Sequence, residues 1–116
     1  MHYQISPHEE EKIVSCIRGS IYDVILDLRP ISRTCYQWMA VELTADNFRM
    51  LYIPKGCAHG FQTLEDNTLV YYQMTTSFYP ESARVIRYDD PKFAIEWPVD
   101  KKIISEKDRR IFDNSL

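Results

Sequence analysis

An imidazole and a phenol held close together can trade protons with a molecule bound between them, so acid–base chemistry is the first possibility this sequence raises. The two groups are His59 and Tyr72, within the stretch Ile53 to Gln73, IPKGCAHGFQTLEDNTLVYYQ. Pro54-Lys55-Gly56 breaks one extended run, and Ala58-His59-Gly60-Phe61 begins the next. Glu65-Asp66-Asn67 reads as a hairpin turn, and Thr68 to Thr75 as a β-branched and aromatic strand. Two strands folded back around that turn would bring His59 and Tyr72 into one neighbourhood. There they form either an acid–base pair or a polar patch inside a barrel, and this stretch leaves both readings open.

The elements that must position them are short and extended. Met1 to Ile5 is ended by Ser6-Pro7, and His8-Glu9-Glu10-Glu11 reads as a solvated connector. Ile13 to Ile17 is a second strand, and Gly19-Ser20 turns the chain into Ile21 to Leu28. There Tyr22, Val24, Leu26 and Leu28 share one face, and Ile21, Asp23, Ile25 and Asp27 the other. Apolar residues on both faces mark a well-covered strand, with Asp23 partly buried or facing a pocket. Tyr36 to Leu43 is a further strand, and Thr44 to Asn47 turns into Phe48 to Ile53. Arg84 to Tyr88 precedes Asp89-Asp90-Pro91, and Ser105-Glu106-Lys107-Asp108 resembles a helix start, with a helix from Glu106 to about Phe112. Many short strands without repeats or linkers point to one all-β domain, 1–116, a barrel or sandwich.

Composition excludes several function classes. The chain has 116 residues, 45% hydrophobic and 27% charged, proportions of a globular rather than a disordered protein. A net charge of -3 gives no basic footprint for nucleic acid. No apolar run is long enough to span a bilayer, and no N-terminal signal pattern is present. Cys16, Cys35 and Cys57 form no C-x-x-C pair, which fits free thiols in a reducing cytoplasm. The histidines are His2, His8 and His59, with no H-x-H pair, so their spacing asks for no metal.

The order of motifs is more specific than any of them alone. MHYQ is followed by K-I-V at Lys12 to Val14, G-S-I-Y-D-V-I-L-D-L-R at Gly19 to Arg29, and Gln37-Trp38. Then come I-P-K-G-C-A-H-G-F-Q-T-L, V-Y-Y-Q, I-R-Y-D-D-P, I-E-W-P and I-S-E-K-D. From residue 1 to about residue 110 this series resembles the dTDP-4-dehydrorhamnose 3,5-epimerase family. The resemblance implies a cupin-type double-stranded β-helix, or jelly roll, with a short C-terminal helix. It also implies a homodimer acting without metal or other cofactor on a nucleotide-linked 4-keto-6-deoxy sugar, in the cytoplasm, for deoxysugar or polysaccharide synthesis.

The implied reaction has a simple requirement. Inverting a carbon beside a ketone means removing a proton from one face and returning one to the other, while the ketone oxygen holds the electrons as an enolate. The protein must supply a base near neutral pKa, an acid across the ring and a group that stabilises the enolate. By the resemblance, the base is His2, Asp108 pairs with it, Tyr72 is the acid and Lys12 meets the enolate charge. Asp23 and His59 match further polar positions lining the substrate pocket.

Each residue also has a plainer reading that only a fold can test. His2 could fray at the chain end, Tyr72 could be core, and Asp108 could cap the last helix. Lys12 could pair with Glu9 to Glu11 on the surface, and His59 could be a structural histidine. The chain also departs from the family pattern. It begins just before the base, without the N-terminal section that by the resemblance helps to hold the nucleotide. Ser77 replaces an aromatic residue near the base, Ala83 a common glutamate, and Val85 a frequent glycine, which would alter a local turn. These departures keep a second reading in play, a catalytically silent cupin that binds sugar nucleotides or serves as a dimeric scaffold.

Overall fold

The computed structural model describes residues 1–100 and 102–109. Among them the chain forms β1 (His2–Gln4), β2 (Lys12–Arg18), β3 (Ser20–Asp27), β4 (Trp38–Thr44), β5 (Met50–Ile53), β6 (Cys57–Thr63), β7 (Leu69–Met74) and β8 (Ala83–Val85). A single 3-10 turn, Pro80–Ser82, precedes β8, and α1 (Glu106–Arg109) follows the strands. The strands make two antiparallel sheets, one ordered β4-β3-β6-β1-β8 and the other β5-β2-β7. This is the all-β sandwich expected from the sequence. No helix among the described residues is long and apolar enough to cross a membrane.

Alternation along β3 explains the layering. Ile21 and Ile25 point to the space between the sheets and pack with Val14, Leu43, Ile53 and Cys57. Val24 and Leu26 point the other way, where Met1, Ala58, Ile86 and Phe93 cover them with Tyr22, Trp38 and Trp97. Both faces are therefore buried, as the paired apolar sets predict. The chain after β8 supplies the outer cover, and Trp97 is fixed by its Nε1 donating to the Tyr88 carbonyl at 2.9 Å.

The turns shift several boundaries. Tyr36 takes a left-handed φ of 66°, and its N–H bonds the Asp27 carbonyl at 2.7 Å, so the strand expected from Tyr36 begins at Trp38. Phe48 (φ 55°) is likewise spent on the turn, and β5 starts at Met50. Arg84 to Tyr88 yields only the end of β8, and Val85 lies within that strand opposite His2, not in a turn. Of the expected C-terminal helix, Glu106–Arg109 is present and 110–112 lie outside the described residues. Gly19 (φ 78°) makes the tight β2–β3 turn, where a Cβ would collide with the Thr68 hydroxyl.

The largest revision concerns the Glu65–Asn67 turn. It does not fold β6 against β7 in one sheet; β6 pairs with β3 and β1, and β7 with β2. The turn carries the chain from one sheet to the other. His59 and Tyr72 therefore occupy facing layers instead of neighbouring strands.

Asp27 ties the long β3–β4 loop to the sheet. It accepts from the Arg29 amide at 2.9 Å, from Arg29 Nε at 2.9 Å and Nη2 at 3.0 Å, and from the Ser32 and Thr34 hydroxyls at 2.6 Å each. The Arg29 hydrogen bonds, reinforced by those hydroxyls, hold its carboxyl well below the usual carboxylate range. A depressed folded-state pKa contributes stability that is present above the unfolded value, roughly pH 4, and is lost as pH falls through the folded value. Urea midpoints measured from pH 7 to pH 3 should fall less steeply for Asp27→Asn than for the wild type, and parallel slopes would contradict this role. Leu43, with no exposed surface in the inter-sheet core, sets the scale of packing. Leu43→Ala is expected to cost about 2–5 kcal/mol in the same titration.

Candidate active site

Strand register brings the first histidine into the sandwich. His2 lies directly opposite His59 across β1 and β6 and opposite Val85 across β8. Its backbone is thus held on both sides, which rules out a frayed end, and cross-strand partners share a face. Both imidazoles line a cavity of about 930 Å³ between the sheets. His2 keeps 45% of its side chain exposed, whereas His59 is 6% exposed. His2 is a group that a ligand can reach, and His59 is part of the wall.

The other sheet supplies the opposite wall. In β2 and β7, Lys12 pairs with Met74, Val14 with Tyr72 and Ser15 with Tyr71. Val14 is fully buried, so its partner Tyr72 faces inward and Tyr71 faces out. Tyr72 lines the same cavity as His2, across from it, while remaining 47% exposed. It is cavity wall, not core. Phe78 also lines the cavity, whereas Ser77 contributes its carbonyl to Gln4 Nε2 at 3.3 Å. An aromatic side chain is therefore present near the base one residue later than the family pattern placed it.

Lys12 lies on the wall with only 10% of its side chain exposed, and its Nζ is 3.4 Å from Glu10 Oε1. The expected acidic partner is real, but the pair is half-enclosed by the cavity instead of sitting in solvent. Glu10 was read as part of a solvated connector. The available signal was its spacing, since residues two apart on an extended chain share a face. Its neighbour Glu11 turns away and accepts from the Tyr52 hydroxyl. His8 is also off the wall, stacked on Tyr79 with ring centroids 3.6 Å apart and bonded through Nδ1 to Ser82 Oγ at 2.9 Å. Among the described residues, no cluster of three His, Cys, Asp or Glu side chains could hold a metal ion.

Two imidazole–carboxylate pairs result, and they differ in kind. Asp108, delivered by α1, sets its carboxylate oxygens 3.2 and 3.4 Å from His2 Nε2. A proton on Nε2 facing that carboxylate leaves the ring's lone pair on Nδ1. Burial lowers the His2 pKa below the ordinary imidazole value, and Asp108 pulls it part of the way back. The ring is thus neutral near pH 7 and able to accept a proton.

Asp23 pairs with His59 Nε2 inside the large sheet. The two are diagonal neighbours, because His59 is opposite Ile25 and Phe61 opposite Asp23. Asp23 has no exposed surface and is not on the cavity wall. The expectation that Asp23 lines the pocket is corrected here: it stands behind His59 and fixes that ring. An aspartate pointing into the sandwich reaches the histidine before it reaches the cavity. Its second oxygen has no hydrogen-bond partner among the described residues.

The arrangement can remove a proton at His2, offer one from Tyr72 on the facing wall, and present the Lys12 ammonium between them. Known proteins match this chain throughout. The family model described as dTDP-4-dehydrorhamnose 3,5-epimerase matches residues 1–113. The dTDP-4-dehydrorhamnose 3,5-epimerase of Escherichia coli K12 is 41% identical over 113 residues, 97% of this chain and 61% of that protein. The one from Methanothermobacter thermautotrophicus is 45% identical over 112 residues, 94% of this chain and 60% of its own length. The crystal structure of the Bacillus anthracis enzyme with TDP and PPi bound superposes with a TM-score of 0.92 at 42% identity, covering 95% of this chain and 63% of that one. A Legionella pneumophila enzyme in complex with dTDP-4-keto-L-rhamnose gives 0.86 at 41% identity, covering 93% and 57%. The chain spans 56% and 61% of the length of two curated relatives, from Sinorhizobium fredii and E. coli. It has their cupin-like jelly roll, and by sequence and by fold it belongs to the dTDP-4-dehydrorhamnose 3,5-epimerase family.

Proposed function

We propose that this chain is an epimerase of a nucleotide-linked 4-keto-6-deoxy sugar, inverting one or both carbons beside the ketone. The observation that carries the reading is the placement of His2, backed by Asp108, on one wall and Tyr72 on the other. His2 takes the proton from the carbon, and the C–H electrons pass into the ketone oxygen as an enolate. Lys12 stabilises that charge, and the Tyr72 hydroxyl returns a proton to the opposite face. The ketone is its own electron sink, so the step needs no cofactor. His59, with Asp23 behind it, forms the floor on which the sugar hydroxyls are held.

The substrate class is supported by the relatives' names and by the TDP and dTDP-4-keto-L-rhamnose bound in two of them. A cupin that binds sugar nucleotides without turning them over is the competing reading, favoured by the shorter span of this chain against its relatives. Incubation with dTDP-4-keto-6-deoxyglucose in D2O separates the two. Deuterium should enter at C3 or C5, and His2→Ala should lower its rate by about 10²- to 10⁴-fold. No incorporation with any 4-keto nucleotide sugar would leave the binding reading.

The pH profile follows from the electrostatics of His2. Burial keeps the ring neutral, so kcat/KM should rise with pH through a midpoint below about 6.5. Asp108→Asn removes the influence that raises this pKa, so the midpoint should move lower while the rate falls. An unchanged midpoint would mean that Asp108 does not act on His2.

We also propose that the chain forms a homodimer. The outward face of the small sheet exposes Ile13, Ile17, Met50, Tyr52 and Tyr71, a larger apolar patch than monomers usually leave uncovered. Sedimentation or light scattering should give twice the chain mass, and Ile17→Asp should shift it toward monomer. A monomeric wild type would overturn this.

A further inference from the structure

Asp108 reaches His2 only because residues 98–108 cross the open side of the cavity. Val99, Ile104, Ser105 and Asp108 from this strap all line it. The strap meets the body at a contact the family mechanism does not use. Gln62, on β6 and three residues beyond His59, bonds both backbone groups of Val99. Its Nε2 donates to the Val99 carbonyl at 3.0 Å, and its Oε1 accepts from the Val99 amide at 3.2 Å. The side-chain amide thereby does what a neighbouring strand would do for that residue. It acts at the one place where a short stretch of backbone leaves the outer cover for the cavity mouth.

Other contacts guide the strap without fixing its register. Just before it, Trp97 packs edge-on against Tyr22 with ring centroids 5.9 Å apart, and Lys102 Nζ lies 5.9 Å from the Tyr88 ring centroid. Both are compatible with sliding. A paired donor and acceptor is not, because a one-residue slip would present Asp100 instead of Val99 and displace everything downstream. Local hydrogen bonds then carry the geometry forward, since the Asp108 amide donates to Ser105 O at 3.1 Å and to Ser105 Oγ at 3.3 Å.

We propose that Gln62 is a positioning residue for the epimerase, a clamp that sets the register of the strap and so delivers Asp108 to His2. This rests on the assignment of His2 as the base, but the clamp itself can be tested without turnover. Gln62 touches neither the reacting carbon nor the enolate; it acts through Val99 and Asp108. Gln62→Leu keeps the bulk and loses both hydrogen bonds, and Gln62→Glu keeps only the acceptor.

The experiment combines three readings on these variants. Amide hydrogen exchange of residues 99–108 should quicken at least tenfold in Gln62→Leu and by less in Gln62→Glu. An NMR titration of the His2 ring should show its pKa moving down, in the direction that Asp108→Asn moves it. For catalysis, kcat should fall with little change in KM, and adding Gln62→Leu to Asp108→Asn should cost nothing further. Unaltered exchange in the strap, or a His2 titration that does not move, would overturn the clamp even if the enzyme is active. An inactive wild type whose strap and His2 titration respond as described would sink the epimerase assignment and leave the clamp in place. A KM effect that persists in the Asp108→Asn background would assign Gln62 to substrate binding instead.

Discussion

The fold depends on a join between the two ends of the chain. His2 is the first residue of the first strand, and Asp108 lies in the last described helix, yet their side chains meet at 3.2 Å. A partly buried imidazole is stabilised by a carboxylate only if both are held, and each is held by something else. β1 is locked between β6 and β8, and the strap that ends in α1 is pinned at Val99. The sandwich can be viewed as the structure needed to bring those two ends together over one cavity.

The second constraint is the separation of layers. Acid–base inversion requires two groups that cannot reach the same face of a small molecule. A hairpin would have set His59 and Tyr72 side by side, on one face. The turn at Glu65–Asn67 instead passes β7 to the other sheet, so Tyr72 faces His2 across the gap. His59 is left beside His2, fixed by a carboxylate that no ligand touches. The site therefore has one reachable imidazole, one structural imidazole and one phenol opposite.

Much of this was legible in the sequence, for identifiable reasons. The faces of β3 followed from simple alternation, which is reliable where both sides are apolar. The separation of Tyr72 from Tyr71 followed from the same period. The hairpin expectation failed because a turn signal fixes a reversal of direction but not the partner strand, which long-range packing chooses. Asp23 was expected on the wall because alternation says which way a side chain points, not how far it projects. Glu10 was hidden in an acidic run, although its spacing from Lys12 marked it. Gln62 carried no signal at all, since its partner is backbone supplied by a segment far along the chain.

The central claim is that His2 and Tyr72 work from opposite faces of one bound sugar. It is tested most directly by the stereochemistry of deuterium uptake in the Tyr72→Phe variant. Such an enzyme keeps its base and loses its opposing acid. With a 4-keto-6-deoxy nucleotide sugar in D2O, NMR should show deuterium entering beside the ketone with the original configuration retained. Inversion persisting at the wild-type rate would contradict the account, because the second proton would then come from somewhere other than the facing wall.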